Sequence, residues 1–243
     1  MKKIILTLVF MAISLMVFAV DAKEILDKVD NNETYETIKF EGEMIIYLQG
    51  KKIEKSFSAV AKGKDNFFLE FNNPDDTGTK YMKKNGKLYV YTLDLEEPMA
   101  ITGHMLKESM MGSDLSYEDT VDNLTLNEQY HAKIIEETEL DGRPVWVIDL
   151  KAKTKTISYA RRKIWVDKET YNGIKMELFA LSGTKLKVFK TNKIEKIKNK
   201  NYPVEQEIID LQRKDSKTVF INKNVDLNVK VPDNVFSLRN LER

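Results

Sequence analysis

Four acidic side chains, Glu108, Asp114, Glu118 and Asp119, fall within the twelve residues ESMMGSDLSYED; His104 lies just upstream, and His131 is the other histidine of the chain. Carboxylates so dense could hold a divalent cation or exchange a proton with a substrate, provided that they converge and recruit further ligands. Their spacing does not match the calcium loop of a helix-loop-helix hand, and two separated histidines offer a zinc ion little. Ser116 and Asp119 instead stand three apart in the manner of a capping box, and a helix dipole favours acids in the first turn. The acids are therefore read as caps and as a solvated face.

Other chemistry is excluded more firmly. The chain has no cysteine, so disulfides, thiolate metal sites, cysteine nucleophiles and a lipid-modified cysteine are ruled out. It has no nucleophile elbow, no glycine-rich phosphate loop and no zinc-binding spacing. The expectation is no catalytic residue, no metal, no cofactor and no enzyme. A hydrolase acting on lipids would survive only if Asp114, Glu118 or His104 proved catalytic.

Methionine is the more informative half of the opening stretch. Met99, Met105, Met110 and Met111 account for four of the ten methionines. Unbranched, polarizable side chains suit a surface that accepts varied apolar shapes, although methionine also fills gaps in any core.

The elements that position these residues are strands. Lys2 and Lys3 precede an apolar run from Ile4 to Val20, which reads as a secretory signal. Cleavage is expected after Ala19 or Ala22, so the domain division is 1–22 and 23–243. The run is slightly short for an uncleaved span of ~20 residues. The formal net charge is +1, and losing two lysines and one aspartate with the signal brings it near zero, which gives no long-range attraction for nucleic acid. A short amphipathic helix follows, with Ile25, Leu26 and Val29 on one face. The period then changes from 3.6 to 2. Ile38, Phe40, Gly42, Met44, Ile46 and Leu48 alternate with polar residues, and Phe57, Ala59 and Ala61, then Phe67, Leu69 and Phe71, continue the pattern. Turns are marked at Gly50, Asn85-Gly86, Asp141-Gly142 and Ser182-Gly183. No helix of crossover length separates the strands, so the sheet is antiparallel. Many antiparallel strands must curl or close, or their edges would pair with other molecules.

Between Glu97 and Asn123 the alternation fails. Ile101, Met105 and Leu106 recur at helical spacing, Gly112 is placed to end that helix, and Ser116 with Asp119 opens another. A curved sheet with an aromatic and aliphatic inner face beneath methionine-bearing helices makes an apolar cavity with a movable lid. The candidate wall is Phe40, Met44, Phe57, Phe67, Leu69 and Phe71, with Met99, Met105, Met110 and Met111 from above. Trp146 and Trp165 lie in strands, as core or wall. The lysines at 190, 193, 196, 198 and 200 read as the wet face and edge of a strand, with docking on anionic lipid or an acidic partner as the alternative.

Three patches, MMGSDLSYED, RRKIWVDKETYNGIKMELF at 161–179 and the ending VPDNVFSLRNLER, resemble the outer-membrane lipoprotein-sorting protein family, the LolA-like periplasmic carriers. The resemblance implies a mainly β fold: one curved antiparallel sheet forming an incomplete, half-open β-barrel of about eleven strands with a helical lid. It implies a periplasmic monomer that binds acyl chains of lipoproteins or lipids and passes them towards the outer membrane. An inner-membrane exporter and an outer-membrane acceptor would then be its partners. The family's carrier holds its lid with an arginine on a barrel strand; Arg161 and Arg162 stand in a different motif. The alternative on the same fold is a periplasmic sensor or interaction module that binds a membrane-protein partner.

Overall fold

The computed structural model describes residues 20–121 and 124–242. The expected secretory segment lies outside the described residues except for its last three. Asp21 caps the first helix, α1 (Ala22–Asn32), by accepting from the Lys23 N–H, and Ile25, Leu26 and Val29 on its inner face are fully buried.

Everything else of regular structure is organised by one antiparallel sheet. Its strands are β1 (Thr37–Leu48), β2 (Lys51–Lys62), β3 (Asn66–Phe71), β4 (Lys80–Lys84), β5 (Lys87–Tyr91), β6 (Met99–Ile101), β7 (Tyr130–Leu140), β8 (Arg143–Ala152), β9 (Arg161–Asp167), β10 (Gly173–Phe179), β11 (Lys185–Ile197), β12 (Lys200–Asp210) and β13 (Ser216–Leu227). That makes thirteen strands rather than about eleven. One source of the difference is β6, whose three residues are too few to show a period of two and lie inside the segment read as helical.

The tight turns form where expected. Asn85 and Gly86 both adopt positive φ, 51° and 73°, as do Asp141 and Gly142, 50° and 77°. This is the left-handed pair that lets a two-residue hairpin follow the twist of its strands.

The order across the sheet is β6-β5-β4-β3-β2-β1-β13-β12-β11-β10-β9-β8-β7. Each half is a meander, and the halves join where β1 pairs with β13. The two edges, β6 and β7, are consecutive in sequence. The chain between them must therefore travel from one edge of the sheet to the other, and its described residues 102–121 and 124–129 lie across the concave face as a strap. The strap is where the helical expectation fails. Residues 98–112 hold only two 3-10 turns, Gly103–Lys107 and Met110–Gly112, and Ile101 belongs to β6. A segment this short gains little from helix formation alone. Two short helices follow, α2 (Glu118–Val121) and α3 (Leu126–Gln129), the latter closed by a capping box from Thr125 and Glu128.

Two of the apolar clusters on the concave face matter here. On β7 to β9, α1 and Leu126 of α3 cover Trp146, Ile148, Leu150, Ile164 and Val166. On β1 to β6, the strap covers Met44, Ile46, Phe57, Leu69, Phe71 and Tyr81. On the convex face Phe236 and Leu241 of the last segment pack on Met82, and Lys84 Nζ donates to the Phe236 carbonyl at 2.7 Å. Trp146 is core, whereas Trp165 faces outward between the ammonium groups of Lys163 and Lys175, 4.7 and 4.3 Å from its ring. The lysine-rich β11 is not an edge: it pairs with β10 and β12. Lys198 is tied to Asp226 at 3.0 Å and Lys200 to the Asn31 carbonyl at 2.6 Å, so these two charges already have local partners.

Candidate functional site

The strap does not fill the trough it crosses. Beneath it lies an open cavity of about 530 Å3. Its floor follows from strand parity. Phe40 and Met44 point inward from β1, Phe57 from β2, and Phe67, Leu69 and Phe71 from β3, while the other half contributes Phe189, Ile208 and Phe220. Met110 and Leu115 reach down from the strap. Phe57 lies over Gly42, its direct partner across β1 and β2. A Cβ at residue 42 would run into that ring, so the glycine is what allows the aromatic ring to lie flat on the floor.

The rings continue as a line of contacts from floor to strap. Phe40, Phe57, Phe71 and Tyr81 meet edge to face at centroid separations of 6.2, 5.9 and 6.2 Å, and Tyr81 meets Tyr117 of the strap at 5.8 Å. Such geometry adds to simple burial. The Tyr81 hydroxyl also lies 3.1 Å from that of Tyr117 and 3.2 Å from the Met111 sulfur.

Of the ten residues expected to form the wall, Phe40, Met44, Phe57, Phe67, Leu69, Phe71 and Met110 lie on the cavity. Met105 and Met111 pack in the cluster behind it. Met99 is a correction: it starts the edge strand β6 and is 40% exposed, because the strap leaves the sheet only after residue 101. Sequence reading also missed the far wall, Phe189 and Phe220, whose inward parity could have been followed along β11 and β13.

The acidic stretch that opened the question is folded into a tight loop. Met110 N–H donates to the Leu115 carbonyl and Tyr117 N–H to that of Glu108, 2.8 and 3.1 Å, while Met111 and Gly112 turn the chain with φ of 54° and 78°. The loop tip buries Asp114, 1% exposed. One oxygen of its carboxylate accepts from Ser216 Oγ at 2.7 Å and the Asp210 N–H at 3.2 Å, and the other from Thr218 Oγ1 at 2.7 Å. Arg213, in the turn between β12 and β13, donates to the Gly112 carbonyl at 2.9 Å and also to that of Ser113.

One helical turn later, Asp119 is buried as well. Its Oδ2 accepts from Lys187 Nζ at 2.6 Å, Ser116 Oγ at 2.7 Å and the Ser116 N–H at 2.9 Å, and its Oδ1 from Tyr159 Oη at 2.7 Å. Burial alone would push this carboxyl up, but the Lys187 ammonium and the bonds from Lys187, Ser116 and Tyr159 outweigh it and hold the group below the usual carboxylate range. The same surroundings push the Tyr159 hydroxyl up, burial foremost and the Asp119 charge next, so it stays a donor.

The reading of these acids as a solvated face is thus corrected. The capping contact between Ser116 and Asp119 exists, but Asp114 and Asp119 are buried pins joining the strap to β11, β12 and β13. Among the described residues no group of three or more histidine, aspartate or glutamate side chains is arranged to hold a metal ion. The pinning cations, Lys187 and Arg213, were not singled out from sequence. Lys187 had left a signal, since it shares inward parity with Phe189 and is a charge where an apolar residue belongs.

A family model described as "-like: Uncharacterized protein" matches residues 63–243. No curated protein matches. Among solved structures the chain is similar to a DUF1329 family protein from Desulfovibrio piger, with TM-score 0.82 and 25% identity over 92% of this chain and 100% of that one. It is also similar to an outer-membrane lipoprotein-sorting protein domain from Vibrio parahaemolyticus, with TM-score 0.80 and 18% identity over 92% and 100%. A third similar structure is a LolA superfamily protein from Nitrosomonas europaea, with TM-score 0.73 and 17% identity over 90% and 98%.

Proposed function

We propose that the chain, which shares its fold with an outer-membrane lipoprotein-sorting protein domain and a LolA superfamily protein, is a periplasmic carrier that shields acyl chains of a lipid or lipoprotein on their way towards the outer membrane. The observation that carries this reading is an aromatic-walled cavity left open beneath a strap that packs on part of the trough without filling it. Each methylene moved from water to such a wall contributes ~0.8 kcal/mol. Affinity therefore needs no polar recognition of the cargo, and one wall can accept different chains.

The ligand's contacts in this reading are Phe40, Met44, Phe57, Phe67, Leu69, Phe71 and Met110. Loading and release require the strap to lift, which means breaking the Lys187–Asp119 ion pair and drawing Asp114 from its hydroxyl cradle. The exporter and acceptor that would deliver and receive the cargo belong to the same proposal.

Phe67 and Phe220 test it. Both are half-buried on the cavity surface, from opposite halves of the sheet. The double variant Phe67→Asp/Phe220→Asp removes two contacts and places two charges where an acyl chain would lie. Binding of a fluorescent acyl probe is expected to weaken by at least about 100-fold, which is ~2.8 kcal/mol, with the β-rich far-UV spectrum retained. Unchanged probe affinity in that variant would remove the cavity from the account.

A further inference from the structure

The cavity is not a single chamber. Beside the apolar lobe lies a second of about 640 Å3 with more polar walls, among them Tyr35, Tyr159 and Arg162, and the two lobes share Glu33, Leu124, Phe189 and Gln206. These four residues make a waist, and Glu33, which ends α1, is the one among them that can carry a charge. Glu33 is solvent-accessible and lines both lobes. A carboxylate in that position holds water in the passage, and an apolar chain threading it would have to strip that water from a charge, which is strongly opposed.

Building on the carrier reading above, we infer that Glu33 is a gate that sets which acyl chains the cavity accepts. Chains short enough for the apolar lobe ignore it. Chains long enough to cross the waist are accommodated with the carboxyl neutral.

The surroundings of Glu33 support such a role near neutral pH. Enclosure by the walls pushes its carboxyl up to about 7, the Asp30 carboxylate adds to this, and Lys64 and Arg162 oppose it. Tyr35 also faces it, and its hydroxyl is pushed up, chiefly by burial, so it remains neutral. The facing charges thus come from α1, from the turn after β2 and from β9.

The sign of the pH dependence follows. A chain lying across the waist displaces water from Glu33 and raises its pKa further, so binding takes up a proton. Affinity is then full below the free-state value and falls as pH rises through it, about tenfold per pH unit.

The test uses the full mature protein and uncharged monoacylglycerols, one octanoyl and one octadecanoyl, titrated at about pH 6 and about pH 8. For the long chain, wild-type affinity is expected to fall roughly tenfold between the two pH values. The Glu33→Gln variant should bind that chain equally at both, as tightly as wild type at the lower pH. For the short chain, neither pH nor the substitution should matter. Long-chain binding that is independent of pH in wild type and unchanged in Glu33→Gln overturns the gate while leaving the carrier intact. Failure of both ligands to bind at either pH overturns the carrier reading and the gate with it.

Discussion

Lys187→Met is expected to destabilise the protein by about 3–5 kcal/mol, because it strands the Asp119 carboxylate in a buried site with only hydroxyl and N–H partners. The side chains of the pair are 8% and 6% exposed, so the lost ammonium is replaced poorly by water. Solvent screening, which reduces most surface pairs to under about 1 kcal/mol, does not apply here. Urea denaturation measures the loss, and hydrogen exchange across residues 108–121 shows whether it is spent on opening the strap or on unfolding the sheet. The double variant Lys187→Met/Asp119→Leu should recover much of the stability, since an apolar pair of similar size leaves no charge unmatched. If Lys187→Met alone were neutral, the ion pair would not be what holds the strap.

The pH behaviour of this pin has a definite sign. The Asp119 pKa is lowered in the folded protein, so its contribution is fully present above the ordinary carboxylate value near 3.9 and is lost as pH falls through the folded value. The strap should stay closed across the neutral range and loosen only in strong acid. On the carrier reading, release of cargo near neutral pH is therefore not driven by titration of Asp119.

The second large effect is expected at Asp114. Asp114→Ala leaves the hydroxyls of Ser216 and Thr218 and the Asp210 N–H without the acceptor they share. Each unmatched buried donor costs about 1–3 kcal/mol. Rotation of the hydroxyls recovers part of this, so a total on the order of 3 kcal/mol is expected, read as a fall in Tm of roughly 6–12 °C. Asp114→Asn should cost about half as much, since one acceptor oxygen remains. Thr218→Val removes a single partner and should fall between Asp114→Asn and wild type. An Asp114→Ala protein with unchanged Tm would mean that the loop tip is not fastened to β12 and β13 through this carboxylate.

What could be read from sequence and what could not divide along a physical line. Alternation over Ile38 to Leu48 and left-handed turn pairs such as Asn85-Gly86 are local signals, and they located strands, hairpins and the parity that puts Phe40, Met44, Phe57 and Phe71 on one face. Ile25, Leu26 and Val29 located α1 in the same way. The strap obeys no local rule. Ile101, Met105 and Leu106 have helical spacing, yet residues 98–112 hold only two 3-10 turns, and the chain from Gly112 to Asp119 is met by residues about a hundred positions away, Arg213, Ser216 and Thr218, and by Lys187 about seventy away. Contacts of that range leave no periodic trace. The acids misled for the same reason: a carboxylate that caps a turn and one that pins a strap to a distant strand look alike until the strand is in place. Lys187, inward on an otherwise apolar parity, was the one local hint of the second case.

Native mass spectrometry of the protein purified from the cells that make it, followed by extraction and identification of whatever it holds, tests the central claim most directly. The account predicts a stoichiometric acyl-bearing molecule that is lost, or much reduced, in Phe67→Asp/Phe220→Asp. An empty protein that also takes up no added monoacylglycerol or acylated peptide would contradict it, and would favour a module whose trough and strap serve to bind a protein partner.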